Sequence, residues 1–144
     1  MMELAFYKGK KRWSDRLIQW WTRSQFSHTE IVLGTRDDGL SECASSSWLD
    51  GGVRIKWIAL HPDRWVLVDL PADTDEQRVR QWYQEHDGAK YDLLGLLGFV
   101  LPFRTSESNW WCSESNADAL GYADHWRFSP GHLAARHGIK SERY

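Results

Sequence analysis

A β-hairpin is the feature of this sequence that leaves the chain least freedom. Residues 26–33 are rich in β-formers and stop at Gly34, and Arg36-Asp37-Asp38-Gly39 follows as a turn signal. Residues 40–45 are the natural return strand. Alternate side chains on a strand share a face. His28 and Glu30 are therefore expected on one face, with Ile31 and Leu33 on the other, toward a core.

The rest of the chain supplies partners for this hairpin. Residues 4–7 read as a short apolar first strand. Over 14–23, Leu17, Ile18, Trp20 and Trp21 recur at near-helical spacing, with Ser14 as the expected N-cap and Asp15 in the first turn. Residues 53–59 alternate Val53, Ile55 and Trp57 against Arg54, Lys56 and Ile58, and 65–70 is a further strand stopped by Pro71. The window 74–86 is helical, with Thr74 and Gln77 as a capping box, Gly88 as the stop and Val79, Trp82 and Tyr83 as the buried stripe. A helix beginning near Ser108 runs on through 115–120, and Ser129-Pro130 opens a last one. A meander of antiparallel strands followed by helices implies an α+β fold, in a single domain over residues 1–144.

Composition removes several function classes. The 144 residues carry a formal net charge of −2, which argues against a broad nucleic-acid footprint. The short basic run Lys8, Lys10, Lys11 and Arg12 reads as a solvated loop. Two cysteines, Cys43 and Cys112, make no disulfide framework and fit a reduced compartment. The start has no apolar signal-peptide core, and the apolar run 93–103 is broken by Gly95, Gly98 and Pro102. That run falls short of the ~20 residues a bilayer needs, so no stable membrane insertion and a cytoplasmic location are expected. Ten tryptophans exceed what a small core holds, so several are expected at the surface or along a groove.

The chemistry concentrates on Cys112 and His28. A helix beginning near Ser108 puts Cys112 in or just past its first turn. Unpaired N–H groups and a partial positive charge there stabilise a thiolate. Alone, Cys112 reads as a buried structural cysteine. With His28 upstream the pair gains a catalytic logic: the imidazole takes the thiol proton and the sulfur attacks a carbonyl. A third group should orient the ring. Glu30, two residues along the strand, and Glu42, across the turn, both qualify, and Glu42 is preferred because a cross-strand partner can approach the ring from behind. A zinc site is disfavoured: His28-Thr29-Glu30 matches half of a deaminase signature, but its Pro-Cys-x-x-Cys half is absent. No metal and no cofactor are expected, and His61, His86, His125, His132 and His137 are given no role.

Five short motifs stand in one order: Ser27-His28-Thr29-Glu30-Ile31-Val32, Glu42-Cys43-Ala44, Gly51-Gly52-Val53, Tyr91-Asp92-Leu93-Leu94-Gly95 and Cys112-Ser113-Glu114. Together they resemble the circularly permuted branch of the NlpC-type papain-like cysteine hydrolases, related in layout to lecithin–retinol acyltransferase. The resemblance covers 27–119, with Cys43 intervening in the family's Glu-Ala segment. It implies a nucleophile-bearing helix on an antiparallel sheet that carries the base. It implies Cys112 as nucleophile, His28 as base, Glu42 as the third member and Tyr91 adding a hydrogen bond near the sulfur. The activity implied is that of a cysteine peptidase or amidase cleaving an amide through an acyl-enzyme, on peptidoglycan-type peptides of the cell wall. The alternatives are a lipid acyl hydrolase or acyltransferase, and a non-catalytic cell-wall or lipid binding module on the same scaffold.

Overall fold

The first strand, β1 (Glu3–Tyr7), carries Leu4, Ala5 and Phe6 with no exposed surface, so it belongs at the interior of a sheet. In the computed structural model, which describes residues 1–92 and 109–140, it has an antiparallel neighbour on each side. One is β2 (His28–Thr35), and the other is β5 (Trp65–Asp69). Beyond β2 lie β3 (Leu40–Ser47) and β4 (Gly52–Ala59), giving the order β4-β3-β2-β1-β5. The hairpin forms as expected, with Gly39 at φ +82° in its turn. The simple meander does not: β5 crosses from β4 to the far side of β1. An unpaired edge on so buried a strand would leave its amides without partners. β5 supplies them, and the bonds from Leu70 N–H to Met2 O (3.0 Å) and Lys8 N–H to Arg64 O (2.8 Å) continue the pairing at both ends.

Four α-helices are described: α1 (Trp13–Thr22), α2 (Glu76–Glu85), α3 (Cys112–Ala119) and α4 (Pro130–Arg136). The chain is thus α+β, with a five-stranded antiparallel sheet and helices. Two expected caps shift by one or two residues. The helix α1 starts before Ser14, and the Asp15 carboxylate accepts from the Arg12 N–H at 3.2 Å. At α2 it is Asp75, not Thr74, that accepts from the Arg78 N–H (3.0 Å), while the Thr74 hydroxyl donates to Pro71 O. Ser129 caps α4 as the sequence predicts, accepting from the His132 N–H. Ser108 and the apolar run 93–103 lie outside the described residues. Among the described residues no helix is long and apolar enough to cross a membrane.

The helix α3 packs on β2 and β3 and is buried almost all round. Its side chains there are small: Ser113, Ser115, Ala117 and Ala119. Small residues let a helix axis approach a sheet closely. Asn116 then fixes the register, because its Nδ2–H donates to Thr29 Oγ1 (3.3 Å) while its Oδ1 accepts from the Tyr83 hydroxyl of α2 (2.5 Å). Ser45 Oγ donates to Thr29 O (2.7 Å), tying β3 to the same residue. Every one of these groups is buried, and each would be costly to leave unpaired.

The Gly51-Gly52-Val53 segment has a structural reason. Gly52 sits at φ +145°, and a Cβ on it would run into the carbonyl oxygen of Ala89. Val53 N–H donates to that same oxygen (2.8 Å), and Gly52 bridges to Lys90. The next residues along are Tyr91 and Asp92, and Trp110 N–H donates to Lys90 O (3.0 Å). Gly52 therefore holds the segment that carries Tyr91 against the entry to α3. Replacing it with alanine forces both a strained φ and a backbone clash. Gly52→Ala is expected to cost about 2 kcal/mol or more in urea denaturation. A loss within the error of a surface substitution would show that this close approach is not needed.

Candidate active site

His28 is the first residue of β2, at the end of the sheet. Its side chain and that of Glu30 share a face, as the alternation predicts, and Nε2 of His28 lies 2.7 Å from Oε1 of Glu30. Thr29 and Ile31 point to the other face, where α3 packs. Cys112 is the first residue of α3, four positions after Ser108, where the sequence would start the helix. That places it at the helix terminus, where the N–H groups of Cys112, Ser113 and Glu114 precede the first intrahelical bond, from Ser115 N–H to Trp111 O (3.0 Å). At the sheet end the imidazole is hydrogen-bonded to the Cys112 sulfur as well as to Glu30. With Nε2 directed at Glu30, Nδ1 is the nitrogen left for the sulfur. Cys112 is 1% exposed and the His28 side chain 22%, so the imidazole is the more open member of the pair.

Electrostatics follow from this geometry. Burial alone pushes the imidazole down, but the charge and hydrogen bond of Cys112, then those of Glu30, outweigh it. His28 is lifted to about 10 from its ordinary 6.5. It therefore carries its proton across the neutral range. Glu30 is buried, which pushes its carboxyl up, yet hydrogen bonds and charge from Arg54 and His28 win and hold it at about 2. Arg54 reaches it from β4 with both arms, Nη1 to Oε2 at 2.6 Å and Nη2 to Oε1 at 2.5 Å. Arg54 Nε donates in turn to Asp50 (2.8 Å), which also accepts from Lys56. Charges thus alternate from His28 to Lys56 across one face of the sheet.

The preferred third residue, Glu42, is a correction. Paired residues of a hairpin lie equally far from the turn, and Glu42 pairs with Gly34, close to the turn, while His28 is at the far end of β2. A bulge at Leu33 sets that register, and Glu42 shares its face with Ala44, not with His28. Its carboxylate instead accepts from Arg80 of α2 at 2.9 Å, a tie between helix and sheet. Glu30, the other option, is the residue at the ring.

Tyr91 is brought to the sulfur as the resemblance implies, hydrogen-bonded to Cys112. Burial, then Cys112, push its phenol well above the ordinary value, so it stays protonated and can donate. The edge of Trp48 meets the Tyr91 ring at 6.3 Å, and Trp65 meets His28 edge-on at 6.3 Å. Sequence reasoning gave Arg54, Trp48 and Trp65 no role. The alternation on 53–59 put Arg54 on a polar face, but its partner two strands away needed the full sheet register. Glu114 also has a reason: it stands three residues past the N-cap, and its carboxylate accepts from the Trp111 N–H, closing the start of α3.

The second cysteine differs in kind. Cys43 is buried beside Ala5 and Val32, and burial pushes its thiol up to about 12. Both cysteines are free. Among the described residues no cluster of three or more His, Cys, Asp or Glu side chains could hold a metal ion. His61 and His132 are exposed, His86 stacks on Trp82 at 4.1 Å, and His125 lies 3.6 Å from Glu114. No family model matches the chain, and no curated protein is significantly similar to it in sequence.

Removing one partner of a buried ion pair leaves an uncompensated charge, whereas a half-exposed pair is worth little. Arg54→Ala is therefore expected to cost about 3 kcal/mol or more in urea denaturation, and Arg80→Ala about 1 kcal/mol or less. Equal losses would contradict the difference drawn between Glu30 and Glu42. Because the carboxyl of Glu30 is lowered, its contribution is present above the ordinary 4.5 and lost as pH falls toward about 2. Glu30→Gln should remove that part of the acid limb.

Proposed function

We propose that the chain is a cysteine hydrolase of permuted papain-like design that cleaves an amide bond through an acyl-enzyme on Cys112. The observation that carries the reading is His28 hydrogen-bonded on one side to the Cys112 sulfur and on the other to buried Glu30. The order of histidine before cysteine, and the helix start under the sulfur, support the permuted layout. Peptidoglycan-type peptides are the substrate class that the motif resemblance favours.

The chemistry runs from this chain's own groups. His28 is protonated across the neutral range, and the form of Cys112 that attacks is its thiolate. The sulfur attacks the carbonyl carbon, and the oxyanion that forms takes N–H groups at the start of α3 and the Tyr91 hydroxyl. As the C–N bond breaks, the imidazolium gives its proton to the leaving amine. Water then attacks the thioester with His28 as base, releasing the acid and restoring the sulfur. Glu30 fixes the ring orientation throughout and stabilises its charged form. Trp48 and Leu49 stand exposed beside Tyr91, and this favours a lipid ester or amide as the second reading of the acyl donor.

Incubation with muropeptides and, separately, with phospholipid, read by mass spectrometry, tests the reading. Product is expected from wild type, with at least a 10³-fold loss (roughly) in Cys112→Ala and His28→Ala. Glu30→Gln should lower turnover by roughly 10²-fold, and Glu42→Gln should leave it near wild type. Turnover by Cys112→Ala at the wild-type rate would end the nucleophile assignment. On the alkaline side, kcat/KM is expected to decline as His28 loses its proton near pH 10. Because Glu30 raises the imidazole, Glu30→Gln should move that limb to lower pH.

A further inference from the structure

The helix α1 turns an apolar face to solvent that the hydrolase reading leaves unused. Trp13 is 78% exposed, Trp20 72%, and Leu17 is exposed between them. They follow one another at i, i+4 and i+7, so they form one stripe on one helix face. The opposite face is used for packing: Gln19 is buried and donates to Gly9 O (3.1 Å) and Gln25 O (2.8 Å). The stripe is flanked by cations. Residues 8–23 hold Lys8, Lys10, Lys11, Arg12, Arg16 and Arg23 against a single carboxylate, Asp15, in a chain of formal net charge −2. That carboxylate is turned back onto the Arg12 N–H.

A second exposed apolar pair, Trp48 (61%) and Leu49 (66%), sits in the β3–β4 connection. Its neighbour Asp50 is neutralised by Arg54 and Lys56. The strand pairing puts both features at one end of the sheet. The α1 connection runs from the end of β1 to the start of β2, where His28 stands, and Tyr7 pairs with His28 there. The Trp48 turn joins the end of β3 to the start of β4 at the same end, next to Tyr91.

We infer that this end of the molecule docks on an anionic lipid surface, with the α1 stripe lying in the interface plane. Exposed tryptophans with one apolar and one polar edge suit the headgroup level, and a flanking row of Lys and Arg supplies attraction to anionic headgroups. The same exposed stripe on an isolated soluble surface would be an unpartnered cost. Docking in this pose faces the His28 end toward the bilayer and leaves the hairpin turn, with Trp57 and Arg36 stacked at 4.4 Å, on the distal side. The inference does not depend on the chemistry at Cys112.

Flotation of the full chain with vesicles of phosphatidylcholine and phosphatidylglycerol (about 7:3), against phosphatidylcholine alone, tests it. Wild type and Cys112→Ala should both float with the anionic vesicles, and binding should weaken as salt is raised. Trp13→Ser/Trp20→Ser, and separately Lys11→Glu/Arg16→Glu, should each lower the partition coefficient about tenfold or more. Trp57→Ser, exposed at the other end, should leave it unchanged. These positions are exposed, so thermal melts should match wild type. Failure to float, flotation equal on both vesicle types, or full binding by the Trp13→Ser/Trp20→Ser protein would overturn the inference. So would a sedimentation run giving a dimer that these same two substitutions dissolve, since the stripe would then face a second copy.

Discussion

The bidentate pair between Glu30 and Arg54 is the interaction on which the site rests. A carboxylate with almost no exposed surface is tolerated only if its lone pairs are filled, and here they are: two arms of Arg54 and one imidazole nitrogen. The pair crosses β3, from β2 to β4, so the register of three strands has to be right before it can form. Once it forms, the imidazole has one fixed charge behind it and its other side free for a sulfur. The cost of burying Glu30 is thus converted into orientation of His28.

The two faces of the sheet divide the labour. One face is apolar and receives α3, whose alanines and serines allow a close approach and whose Asn116 locks onto Thr29. The other carries the line of alternating charge from His28 to Lys56. The sulfur and the ring meet at the end of the sheet, where β2 begins and α3 starts. Gly52 and Ala89 hold the segment that delivers Tyr91 to the same place. Sulfur, imidazole and phenol come from segments far apart in sequence, and strand pairing together with the packing of α3 on β2 and β3 brings them together.

Much of this was legible in the residues because it depends on short periods. The alternation of His28 and Glu30 against Ile31 and Leu33 settles which side chains share a face, and Ser129-Pro130 settles where α4 begins. The order of five short motifs singled out Cys112, His28 and Tyr91, which the fold brings to one place. What was not legible depends on register and on competition between nearby caps. Glu42 was misplaced because a bulge at Leu33 and the length of β2 put it beside Gly34, on the opposite face. Arg54 was seen as a polar strand residue, but its partner lies two strands away. The crossing of β5 to β1 follows from the burial of Leu4, Ala5 and Phe6, which an alternation pattern on five residues does not reveal. Asp75 displaced Thr74 because either can accept from the first turn, and a one-residue shift decides which does.

The exposed tryptophans fit the same picture: the core has filled with Trp82, Trp110 and Trp111, and the remainder surround the end that carries His28 or lie on the outer surface. The central claim is that a sulfur and a carboxylate hold one imidazole between them. NMR titration of the His28 Cε1 proton tests it most directly. The account expects a proton lost near pH 10 in wild type and at distinctly lower pH in Cys112→Ala, where Glu30 alone remains to favour the charged ring. The same titration point in both proteins, or a wild-type value near the ordinary 6.5, would contradict it.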